Sequence, residues 1–187
     1  MVEKIYLGPQ ELLDDSFALA AKILESGFRP KMIIALWRGG TPIGIAVQEF
    51  LDYYGGCNSD NIAIRTSSYH GIGERRDVVD IYGMSYLLKN INHEDSVLIV
   101  DDVFDTGNTI KAVIDQLTFN ARKNAPHDIR VAVPWYKPDA NKTDRVPDYY
   151  LHTTDKWLSF PYELDGLTTE EIRDNIPRIY DIIKSAI

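Results

Sequence analysis

Two apolar runs with no polar alternation, Met32-Ile-Ile-Ala-Leu-Trp37 and Ser96-Val-Leu-Ile-Val100, constrain this chain most. A strand wetted on one side alternates apolar and polar residues, whereas a strand covered on both faces does not. A third run, Ile129–Val133, and further candidates at Asn61–Arg65 and Asp148–His152 complete the strands. Helical patterns fall between them. Pro9 opens one, with Glu11, Asp14 and Asp15 near its positive end and Leu13, Phe17, Ala20 and Leu24 on one face before Gly27. Thr41-Pro42 opens a second helix through about Tyr53, and a third spans Thr109 to about Lys123, with Ile110, Val113, Ile114 and Leu117 inward. Thr168-Thr-Glu-Glu171 reads as a capping box, starting a last helix that runs towards Ile187 with a kink at Pro177. Strands alternating with helices predict an α/β fold, a parallel sheet flanked by helices, in one domain over residues 1–187. Ligands of such sheets gather beyond the carboxyl ends of the strands. Arg38-Gly39-Gly40, Asp101–Thr109 and Lys137-Pro138 all leave strands at that edge.

Composition narrows the ligand. The net charge of -8 opposes a nucleic-acid surface, which needs a basic stripe, so no nucleic-acid partner is expected. It leaves room for a small phosphorylated ligand, which a few backbone N–H groups and one or two cations can hold. One cysteine, Cys57, permits no intrachain disulfide and fits a reducing compartment. No stretch approaches the length needed to span a bilayer, and the opening residues lack a signal-peptide core. The expectation is a cytoplasmic protein with no membrane partner.

The densest chemistry lies in Val97-Leu-Ile-Val-Asp-Asp-Val-Phe-Asp-Thr-Gly-Asn-Thr109. A buried strand ends in Asp101-Asp102, and Asp105-Thr106-Gly107-Asn108-Thr109 then leads into a helix. Gly107 lets the backbone approach a ligand closely, and amides from Thr106 to Thr109 would point at a phosphate. The paired acids stand where ribose hydroxyls or a hydroxyl-bound Mg²⁺ would sit. No Gly-Lys-Ser/Thr and no Gly-x-Gly-x-x-Gly after a strand occurs, so neither common nucleotide fingerprint applies. In the second loop Arg38 could hold diphosphate oxygens bidentately while Gly39 and Gly40 expose their N–H groups.

Hydrophobic strand plus Asp-Asp-x-x-Asp-Thr-Gly-x-Thr resembles the signature with which type I phosphoribosyltransferases bind phosphoribosyl pyrophosphate (PRPP). The resemblance runs from Met32 to Glu163 and extends to the purine members that use xanthine, guanine or hypoxanthine. It implies the type I fold, with a small hood from about 135–165. It implies that Asp101 and Asp102 face the ribose hydroxyls and Mg²⁺, that Asp105–Thr109 hold the 5′-phosphate, and that Asp105 is the acid/base at purine N7. Arg38-Gly39-Gly40 is similar to the pyrophosphate loop, where a cis peptide precedes the cation. The polar stretch Thr66–Asp77 resembles the catalytic loop, in which Ser68-Tyr69 close over the reacting centre and Arg75 contacts pyrophosphate. Lys137 would donate to the purine O6, Trp157 would stack on the ring and the Leu158 backbone would read its edge. Glu163 stands where relatives carry an aspartate that reaches a second Mg²⁺.

The implied reaction joins PRPP to a 6-oxopurine, giving a nucleoside 5′-monophosphate and pyrophosphate in purine salvage, with Mg²⁺ as cofactor. A homo-oligomer, dimer or tetramer, is implied as well. The rivals are the same transfer to another base, such as orotate, uracil or adenine, and a PRPP-binding regulator of the same fold. The Lys137 and Trp157 pair favours the 6-oxopurine, and the acidic chain that keeps Ser68-Tyr69 opposes the regulator.

Overall fold

The computed structural model describes residues 3–69 and 78–186. In chain order its elements are β1 (Lys4–Tyr6), α1 (Pro9–Glu25), β2 (Met32–Trp37), α2 (Gly40–Gly55), β3 (Asp60–Tyr69) and β4 (Val78–Tyr82). They continue with α3 (Met84–Asn90), β5 (Ser96–Val100), β6 (Val103–Phe104), α4 (Asn108–Ala121), β7 (Asp128–Ala132) and β8 (Trp135–Tyr136). The last are β9 (His152–Thr153), β10 (Trp157–Ser159), α5 (Thr169–Asn175) and α6 (Pro177–Ala186). The chain divides into two compact units, residues 13–155 and residues 1–12 with 156–187, the first division falling inside α1.

The larger unit is built on a five-stranded sheet of order β4-β3-β2-β5-β7. The apolar runs β2 and β5 sit side by side and parallel, Ile34 opposite Ile99 and Ala35 opposite Val100. One face of that sheet carries Met32, Ile34, Leu36, Val97 and Ile99 against Met84 and Leu87 of α3 and Ile110, Val113 and Leu117 of α4. The other face carries Ile33 and Ala35 under α2, whose Gly44 lies so near that an added Cβ would stand 3.0 Å from the Ala35 Cβ. With both faces covered, unalternating strands are the expected composition.

Four expectations need correction. In α1 the buried side chains are Leu12, Ser16, Leu19, Ala20 and Ile23, while Leu13 and Phe17 are exposed. Ser16 breaks the apolar pattern of the true inner face, so the neighbouring stripe reads as the stronger one. The strand expected to end at Arg65 runs on to Tyr69, because β4 pairs antiparallel with it from Arg65↔Tyr82 to Tyr69↔Val78. Thr66–Tyr69 therefore belong to a ribbon rather than a loop, and residues 70–77 lie outside the described residues. The strand expected at Asp148–His152 shrinks to His152–Thr153 plus a bridge from Tyr149 to Ala132. There the Asp148 carboxylate accepts the Val131 N–H at 2.8 Å, taking the place of a ladder carbonyl. The last helix is two helices, since Ile176 leaves helical geometry before Pro177, which lacks an N–H and disfavours helix in the residue ahead of it.

In the smaller unit β1 and β10 form a parallel pair, Lys4 opposite Trp157 and Ile5 opposite Leu158. The capping box at Thr168 and Glu171 is formed as expected. Glu171 also accepts from Lys4 Nζ at 2.7 Å and from the Tyr6 hydroxyl at 3.1 Å, tying α5 to β1. Among the described residues no helix is long and apolar enough to cross a membrane.

Candidate functional site

Parallel neighbours end at one edge, so β2 and β5 deliver their loops to the same place. After Val100 the chain places Asp101 and Asp102, makes the short strand β6, then turns through Asp105-Thr106-Gly107 into α4. Gly107 caps the helix at φ 75°, a left-handed conformation that other residues take at a cost. Space demands glycine there too: a Cβ would meet the Phe104 ring at 2.7 Å and the Thr143 hydroxyl at 2.8 Å. The first-turn amides of α4 lack intrahelical acceptors, and although the Asn108 N–H donates to Thr106 Oγ1 at 3.4 Å, the helix keeps a positive end beside the depression above. That depression, of about 70 Å³, is lined by Asp101, Val103, Asp105, Thr106 and Thr109. Its chemistry suits an anion at the helix end beside carboxylates.

The paired acids are tightly arranged. Asp102 N–H donates to Asp101 Oδ1 at 3.0 Å, and Val103 N–H to Asp102 Oδ1 at 2.8 Å. Asp101 keeps some surface, but its carboxyl sits deep. That burial first, and the adjacent Asp102 charge second, hold it well above the usual carboxylate range, while the Gly40 N–H bonded to it pulls the other way. A cation would relieve both effects. Mg²⁺ takes one or two carboxylates, keeps several waters and shares substrate oxygens, so this donor pair fits it. Among the described residues no group of three or more histidine, cysteine, aspartate or glutamate side chains is gathered for a metal. The remaining ligands would come from substrate and water.

The loop after β2 lies directly against these acids. The Trp37–Arg38 peptide bond is cis, the geometry expected before the Gly-Gly pair. A Cβ on Gly39 would stand 1.7 Å from Asp102 Oδ2, and one on Gly40 would stand 2.2 Å from the Val100 carbonyl oxygen. Arg38 and Trp37 are exposed at the strand end.

Parallel pairing of β6 with β8, Phe104 opposite Tyr136, brings a third element to the same edge. Lys137 N–H donates to the Phe104 carbonyl at 2.9 Å. Its Nζ stands 3.5 Å from Asp105 Oδ2, with the lysine side chain 12% exposed and the aspartate 47%. Arg38, Gly39, Gly40, Asp101, Asp102, Asp105–Thr109 and Lys137 thus all belong to the larger unit, at the carboxyl edge of its strands.

The other sequence-predicted residues fall elsewhere. Ser68 and Tyr69 lie in β3, opposite Val79 and Val78. Arg75 lies outside the described residues. Trp157, half exposed, and Leu158, buried, lie on β10 of the smaller unit. Glu163 lies in that unit too, its carboxylate accepting the Phe160 N–H at 3.4 Å. The sequence reading left Asn141, Lys142 and Thr143 unassigned, yet Lys142 N–H donates to the Thr106 carbonyl at 3.0 Å and Thr143 abuts Gly107. Asparagine two residues before threonine is a turn signal, but nothing in it tells which loop the turn will support.

Comparison with known proteins agrees with this geometry. The family model described as Phosphoribosyl transferase domain matches residues 4–166. The solved purine phosphoribosyltransferase from Pyrococcus horikoshii is 30% identical, covering 88% of this chain and 97% of that one at a TM-score of 0.67. A hypothetical protein from Neisseria gonorrhoeae with bound ppGpp is 23% identical, covering 95% and 98%, at 0.71. The xanthine-guanine-hypoxanthine phosphoribosyltransferase from Helicobacter pylori is 19% identical, covering 88% and 95%, at 0.63. The curated proteins give no significant match. Matched by the family model over most of its length and sharing the architecture of these structures, the chain belongs to the phosphoribosyltransferase family and has the type I fold.

Proposed function

We propose that the protein transfers the 5-phosphoribosyl group of PRPP to a 6-oxopurine (guanine, xanthine or hypoxanthine), releasing a nucleoside 5′-monophosphate and pyrophosphate for purine salvage. The observation that carries this reading is the Lys137–Asp105 pair beside the phosphate loop, a donor and an acceptor 3.5 Å apart. A 6-oxopurine protonated at N7 presents an acceptor at O6 next to an N7–H donor, so one edge of the base would satisfy both side chains. Adenine offers an amino donor at that place and would face the lysine unpaired.

In this reading the α4 amides and Thr106 and Thr109 bind the 5′-phosphate, and Asp101 and Asp102 take the ribose hydroxyls. Asp102, with Glu163 at a second position, would hold Mg²⁺, which offsets charge on pyrophosphate when bound. Arg38, Arg75 and the Gly39 and Gly40 amides hold the leaving pyrophosphate as its bond to C1 breaks and positive charge spreads over the ribose ring. Asp105 accepts the N7 proton as N9 attacks. Trp157 stacks on the base, Leu158 reads its edge, and Ser68-Tyr69 exclude water from the cationic centre. The protein acts as a single phosphoribosyltransferase domain over residues 1–187, in a cytoplasmic homo-oligomer.

The test is PRPP-dependent conversion of hypoxanthine, guanine, xanthine, adenine and orotate, each with Mg²⁺ and with EDTA. Turnover of an oxopurine with Mg²⁺ alone is expected. Turnover confined to adenine or orotate would overturn the role of Lys137, and PRPP binding without turnover of any base would overturn the transferase.

A further inference from the structure

Gly107 is hemmed in by two groups, the Phe104 ring on one side and the Thr143 hydroxyl on the other. Both lead to one side chain. Asn141 Oδ1 accepts from the Thr143 N–H and from the Thr143 hydroxyl, each at 2.9 Å. Asn141 Nδ2 donates to the Arg145 carbonyl at 2.9 Å and to the Tyr136 hydroxyl at 3.2 Å. Tyr136 is buried, and its ring meets Phe104 edge-on, centroids 5.6 Å apart. The same turn donates Lys142 N–H to the Thr106 carbonyl at 3.0 Å, and Lys137 N–H reaches the Phe104 carbonyl at 2.9 Å. One asparagine therefore closes a turn that grips the phosphate loop by its backbone at Phe104 and Thr106 and by its walls at Gly107.

We propose that Asn141 is a positioning residue for the 5′-phosphate loop, holding Thr106-Gly107 in register while touching no ligand itself. The proposal rests on the reading of this loop as a PRPP site. An amide suits the task because it accepts twice and donates twice at once, which neither aspartate nor a hydroxyl can do. Freed of the brace, the loop would sample backbone positions in which the α4 amides no longer converge, and that ordering cost would fall on phosphate binding.

The experiment compares two ligands on the full chain with Mg²⁺: PRPP, which needs the 5′-phosphate loop, and pyrophosphate, which uses the Arg38–Gly40 side, Arg75 and Mg²⁺ and does not call on that loop. Asn141→Ala is expected to weaken PRPP about tenfold or more, raising KM for PRPP with kcat within a factor of a few, while pyrophosphate affinity stays at the wild-type value. Asn141→Asp keeps the acceptors for Thr143 and loses the two donors, so an intermediate PRPP affinity is expected. Should Asn141→Ala fail to fold, Thr143→Val removes the hydroxyl beside Gly107 at constant shape and is expected to give the same split. Unchanged PRPP affinity in the folded variants, or equal loss of both ligands, overturns the positioning role. A wild-type protein that binds no PRPP overturns the transferase reading and this inference with it.

Discussion

Single side chains divide the proposed work so that each can be removed separately. Asp105 is the group assigned to the N7 proton, and an amide in its place cannot take that proton. Asp105→Asn is therefore expected to lower kcat by ~10²–10⁴ while PRPP still binds, and an unaltered kcat would remove the residue from acid–base work. Trp157→Ala should weaken the purine by roughly 1–3 kcal/mol, the worth of one base–aromatic stack. Equal damage to PRPP and purine would mark Trp157 as structural. The loop that holds Asp105 was legible because its chemistry is contiguous: Asp101–Thr109 carry acids, glycine and helix start in one stretch. Asn141 was not, since its importance comes from meeting Thr143 and Tyr136 around a glycine far away in sequence. Local pattern cannot register a contact made only in the fold.

At the level of elements, the capping box of α5 makes a prediction about acid. The Lys4 hydrogen bond above all, then the Thr168 N–H and the Tyr6 hydroxyl, hold the Glu171 carboxyl down from its ordinary 4.5 to about 2. Because its folded value is depressed, the stability it contributes is fully present above about pH 4.5 and is lost as pH falls towards 2. The β1–α5 junction should loosen across that window, read as lower protection of the α5 amides relative to their intrinsic exchange rate at each pH. In Glu171→Gln the protection should no longer change with pH there, and persistence of that change would assign it to other carboxylates. The elements themselves were read unevenly, for physical reasons. β2 and β5 were plain because burial on two faces leaves an unbroken apolar run, and α4 because burial on one face leaves a helical period. The far half of β3 was missed because Thr66, Ser67 and Ser68 carry no apolar pattern, and with it β4, which pairs onto that half. The division near Asp155 had no trace, since it follows from β10 pairing with the distant β1.

For the molecule as a whole, ligand binding should be visible as heat stability. PRPP with Mg²⁺ at about a hundred times its dissociation constant adds ~2.7 kcal/mol to the folded state. For a chain of 187 residues that raises Tm by roughly 5–10 °C. EDTA should remove most of the rise, as should Asp102→Asn, and a rise indifferent to both would take Mg²⁺ out of the reading.

The contact between the two loops has a consequence for how such a protein can change over generations. Gly39 and Gly40 are adjacent, and both are forbidden a side chain, but by different neighbours. An alanine at 39 would collide with the Asp102 carboxylate, the movable end of a side chain. An alanine at 40 would collide with the Val100 carbonyl and the Asp101 Cα, which are backbone of the central sheet. Gly39→Ala should thus yield a folded, poorly active protein, and Gly40→Ala a poorly folded one. A library screened for soluble expression would accept many residues at the first position and almost none at the second. Screened for turnover, it would return glycine at both. One dipeptide would then separate inheritance of the fold from inheritance of the reaction, and a lineage that gave up the chemistry would show it first at residue 39.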